Sequence, residues 1–78
     1  MTRCELPAQV GGPPGRITWI AWSGRRARVS RVLALWDEPA APWDGVAERC
    51  YARLMLETGA VLEARREYDA WTVCGVED

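Results

Sequence analysis

Seventy-eight residues, 49% of them hydrophobic and 27% charged, suffice for one domain with a thin core and no more. The formal charge of −1 argues against a strongly basic polyanion binder, and the absence of histidine removes the commonest general base and the usual zinc ligand. Three cysteines, Cys4, Cys50 and Cys74, stand far apart with no C-x-x-C pair and read as small hydrophobes.

The charge is unevenly spread. Residues 1–36 carry six arginines against the single acid Glu5, a balance of +5, whereas residues 37–78 carry four arginines against ten acids, a balance of −6. All ten cations are arginine, whose planar guanidinium stacks on aromatic rings and forks onto phosphate or carboxylate.

In chain order, the stretch MTRCELPAQVGGPPG has no apolar centre of a secretory signal. No apolar run approaches the roughly 18 residues of a membrane span, so the expectation is a cytoplasmic protein with no membrane partner. Glycine and proline in AQVGGPPGR predict that residues 1–15 are a flexible or extended tail and that residues 16–78 are the single small β domain. Ile17 to Trp22 is rich in β-branched and aromatic residues and runs into Ser23-Gly24, the signature of a strand entering a two-residue hairpin. That hairpin would set Trp22 against Arg25, Ile20 against Ala27 and Thr18 against Val29 on one face. Trp19 would lie across from Arg28, and Ala21 across from Arg26, on the other, with Trp19 stacked on Arg28.

From Val29 onward the alternation breaks. Val29, Val32, Leu33 and Trp36 have helical spacing, yet a strand with one extra residue at Ser30 or Arg31 fits equally well. Pro39 and Pro42 then enforce a loop. Residues 44–58 again allow two readings: a helix capped by Asp44 with a Val46, Cys50 and Leu54 stripe, or a strand in CYARLMLE. Turn signals at Thr58-Gly59 and Tyr68-Asp69, followed by alternation around Trp71 and Val73, favour strands. The predicted class is mainly β, a small antiparallel meander or partly open SH3-like barrel, with an α+β fold carrying a helix at 44–58 as the alternative.

The landmarks Trp22-Ser23-Gly24-Arg25, then Val29, Val32 and Trp36, the loop Trp43, Tyr51, and the ending Trp71, Val73, Val76 and Asp78 follow a recognisable order. In that order the chain resembles an uncharacterised bacterial domain common in actinobacteria. The domain occurs alone or at the C-terminal end of the catalytically inactive Y-family-polymerase-like protein of the mutagenesis complex. The resemblance covers about residues 16–78 and departs from the family in AVLEARREYDAW, where members carry an aromatic strand and a glycine-containing turn. It implies a small β-rich domain associated with DNA damage tolerance, and it supplies no catalytic residue.

The residues argue independently against an enzyme. Ser23 and Ser30 have no activating partner in the pattern, and the prolines of GGPPG remove the amide donors that a phosphate loop needs. No catalytic, cofactor-binding or metal-ligating residue is expected. Trp22, Trp36 and Trp71 read as core or near-core residues, and Trp19 and Trp43 as exposed. Arg25, Arg26, Arg28 and Arg31 suit either a solvated sheet face partly paired with the acidic half or a set of phosphate contacts. The candidate binding residues are therefore Trp19, Arg25, Arg26, Arg28, Arg31 and Trp43. The first expectation is a module contacting single-stranded nucleic acid, or a nucleic-acid-handling protein, through an arginine and tryptophan hairpin. The alternative is a protein–protein adaptor or small inhibitor that uses a sheet edge, the Trp43 loop or the acids Asp37, Glu38, Asp44 and Glu48. The opposed charges of the two halves also permit self-association.

Overall fold

Among the described residues the chain forms six strands: β1 (Thr2–Gly11), β2 (Trp19–Trp22), β3 (Arg25–Glu38), β4 (Arg49–Leu56), β5 (Val61–Glu67) and β6 (Ala70–Glu77). The computed structural model describes residues 1–39, 43 and 48–77. Each strand pairs antiparallel with its neighbour in sequence, and β1 pairs back onto β6, so the meander closes into a barrel. The mainly β expectation is met, and closure is complete rather than partial.

Closure rests on the stretch expected to be a tail. Residues 2–11 form β1, held by β2 on one side and β6 on the other. The reason lies in the sequence before the glycines: Cys4, Leu6, Ala8 and Val10 alternate with the exposed Arg3, Glu5, Pro7 and Gln9. Those four inward side chains pack against the core. Glycine and proline break only the loop that follows. Pro7 is tolerated inside the strand because the β2 register begins at Ala8, so its missing amide costs nothing on that side.

The helical readings of 29–36 and of 44–58 are both corrected. Val29 to Trp36 belongs to β3, and Arg49–Leu56 is β4; residues 44–47 lie outside the described residues. Helical spacing in 29–36 arises from two one-residue register shifts in β3, one between Val29 and Arg31 and one between Val32 and Ala34. Each inserted residue resets the period-two pattern and so imitates a longer period.

The hairpins turn where the sequence marks them. Ser23 (φ 47°) and Gly24 (φ 72°) both take left-handed geometry, the type I′ turn that matches strand twist. Tyr68 (φ 54°) opens the two-residue turn between Glu67 and Ala70, which fixes the register of the last hairpin. Ile20, Ala52, Leu54, Leu56, Leu62, Ala64 and Val73 form the core, with Trp22 and Trp71 packed against it.

Candidate nucleic-acid interface

The β2–β3 hairpin adopts the expected register: Trp22 opposite Arg25, Ala21 opposite Arg26, Ile20 opposite Ala27 and Trp19 opposite Arg28. Directly opposed residues share a face, and Ile20 is fully buried, so Ala27 points inward while Arg26 and Arg28 point out. Arg25, opposite Trp22, sits on the inward side at the barrel end and is exposed.

Arg31 joins Arg26 and Arg28 because of the first bulge. In an unbroken strand, residue 31 would share the inward face of Val29, which opposes the buried Leu56. The extra residue at Ser30, whose hydroxyl donates to the Met55 carbonyl at 3.1 Å, turns Arg31 outward opposite Met55. The second bulge, at Leu33, acts in the same way on Trp36. Leu35 then takes the inward side opposite Ala52, and Trp36 the outward side opposite Tyr51. The outer row of β3 thus runs Arg26, Arg28, Arg31, Ala34, Trp36.

All four hairpin arginines are exposed, and among the described residues none forms an ion pair. The arginines engaged with carboxylates are Arg3, Arg49, Arg53 and Arg65. Arg65 forks between Glu5 and Glu67 at 2.8 Å each, and the buried Glu63 lies 3.4 Å from both Arg3 and Arg53. The hydrogen bond from Arg65 is the first cause holding the Glu5 carboxyl below its usual range. Glu57 borders the groove beside Arg26 and Arg28, and its amide donates to the Arg28 carbonyl at 3.0 Å. Glu38, Glu63 and Glu67 of the acidic half pair with its own arginines and with Arg3, and among the described residues no carboxylate pairs with a hairpin cation.

The tryptophans are placed differently from expectation in two respects. The guanidinium over Trp19 is that of Arg26, its carbon 4.3 Å from the ring centroid, and not that of the directly opposed Arg28. A diagonal partner lies within reach of a side chain this long. On the other flank of β2 the indole lies so close over Gly11 of β1 that any side chain there would run into it. Trp19 is thus held between two neighbouring strands and positions Arg26; it offers no bare stacking plane.

Trp36, expected in the core, is 40% exposed and stacks on Tyr51 with centroids 5.3 Å apart and planes within 5°. Tyr51 covers the β4 side of the indole. Its opposite face lies over the side of β3 where no strand pairs beyond Val29, among the described residues. The second bulge cancels the effect of the first on Trp36, and counting one bulge alone turns the ring inward. Trp43 is 86% exposed, as expected.

Other candidates are not gathered into a site. Glu38 pairs with Arg49 at 3.6 Å, and Asp44 lies outside the described residues. Burial pushes the thiols of Cys50 and Cys74 above their ordinary value, so both are weak nucleophiles at neutral pH. Comparison of the whole chain with family models, curated proteins and solved structures finds no match.

Proposed function

We propose that this domain is a non-enzymatic binding module that holds single-stranded nucleic acid along the outer face of β3. Arg26, Arg28 and Arg31 contact phosphates, Arg25 adds charge at the barrel end, and Trp36 offers the aromatic plane for a base. One observation carries the reading: the four hairpin arginines lie together, exposed and without carboxylate partners among the described residues, while Arg3, Arg49, Arg53 and Arg65 are engaged. Cationic contacts along a strand face with an interleaved aromatic ring are the ingredients of sequence-tolerant single-strand binding. The resemblance to a domain associated with DNA damage tolerance points to the same class of partner, either the nucleic acid or a complex that handles it.

Fluorescence anisotropy with a short labelled single-stranded oligonucleotide at low salt tests the proposal. Arg26→Ala, Arg28→Ala and Trp36→Ala each weaken binding several-fold, and Arg53→Ala, which removes an engaged cation, leaves it nearly unchanged. Absence of binding at low salt, or an equal loss from Arg53→Ala, contradicts the reading.

A protein-interaction module remains the second reading, favoured by one feature of β3. Beyond Val29 this strand pairs, among the described residues, only with β4, and it displays Val32, Leu33, Leu35 and Trp36. A long apolar strand edge is a template for another strand.

A further inference from the structure

β3 is the longest strand, and its neighbour β2 covers only Arg25–Arg28, extended by the bond from the Val29 amide to the Thr18 carbonyl at 2.9 Å. Arg31 to Glu38 consequently has one edge hydrogen-bonded to β4 and, among the described residues, the other edge unpaired. Eight residues of strand span roughly 27 Å, long enough for a full strand of a partner. The side chains along this edge are apolar at the centre and charged at the ends: Arg31, Val32, Leu33, Ala34, Leu35, Trp36, Asp37, Glu38. Leu35 is 59% exposed even though it opposes a buried residue of β4, because no β2 backbone continues beside it.

We propose that the strand pairing with this edge is the same edge of a second copy of this chain, antiparallel about a two-fold axis near Leu35. The charge order selects that occupant. With like faces opposed and Leu33 bulged in each copy, Leu35 pairs with Leu35, Ala34 of each copy lies opposite Trp36 of the other, Val32 opposite Asp37 and Arg31 opposite Glu38. Parallel pairing in register would instead set Arg31 against Arg31 and acid against acid. The two-fold arrangement is closed: each copy offers the same β3 edge to the other, so pairing through this segment ends at the dimer. Pro39 immediately after Glu38 stops the strand and limits the interface to this segment. An interface this small belongs to the weak, concentration-dependent class. Pairing also lays Ala34 of the second copy beside the free face of Trp36, so a base and a second copy compete for that ring.

Sedimentation equilibrium of the full chain without nucleic acid, over a wide concentration range, tests the proposal separately from nucleic-acid binding. The apparent mass rises with concentration towards twice 8.7 kDa. Arg31→Glu and Glu38→Arg each weaken association by about tenfold, since each replaces two symmetry-related attractions with repulsions. The double variant carrying both reversals restores it. A mass that stays at one chain throughout, single reversals without effect, or a double variant no tighter than the singles overturns the proposal.

Discussion

Ser30 and Leu33 act through their backbone more than through their side chains. Each adds a residue to β3, and each addition turns a functional side chain outward: Arg31 after the first, Trp36 after the second. Without the first insertion the outer row would lose Arg31, and with the first alone it would lose Trp36. Residues at the turns carry a different cost. Tyr68 is 81% exposed and sits at φ 54°, where a non-glycine side chain crowds its own backbone. Its ring therefore gains little from burial while its conformation is unfavourable. Tyr68→Gly is expected to raise stability by about 0.5 kcal/mol, the relief of left-handed strain less the extra chain entropy. Tyr68→Val, which is β-branched, is expected to lower it. Urea denaturation of the three proteins checks both signs.

At the scale of elements, β1 decides whether the barrel closes, and the Glu5–Arg65 pair reaches from β1 across β6 to β5. The Glu5 carboxyl is held low chiefly by its hydrogen bond from Arg65. A depressed carboxyl contributes stability that is present above its unfolded value, near 4.5, and is lost as pH falls through the lower folded value. Glu5→Gln is thus expected to reduce the urea midpoint at pH 7 and to have no effect well below pH 4. An equal loss at both pH values would show that packing, not charge, sets the contribution. The hairpin register, the type I′ turn and one β3 bulge were legible in the sequence, because a tight turn fixes the residues opposite each other. β1 was legible in principle through the alternation from Cys4 to Val10, but the adjacent Gly-Gly-Pro-Pro-Gly drew the boundary too late. The partner of Trp19 was not legible. Register identifies the residue directly opposite, whereas a guanidinium on a long stem reaches the diagonal ring. The stacked Trp36–Tyr51 pair depended on a second bulge that no glycine or proline announces.

For the molecule as a whole, charge separation along the chain becomes charge separation by use. Ion pairs consume Arg3 and three of the four arginines in the acidic half, and the cations between Arg25 and Arg31 remain without carboxylate partners among the described residues. A net charge near zero thus coexists with a local cationic strip, which is why composition alone argued against polyanion binding. The most direct test is the salt dependence of single-stranded DNA affinity. Four phosphate contacts predict a slope of about −3 for log affinity against log salt, falling to about −1 when Arg26, Arg28 and Arg31 are replaced by alanine. A slope near zero, or one that these substitutions leave unchanged, would contradict a phosphate-binding face on β3.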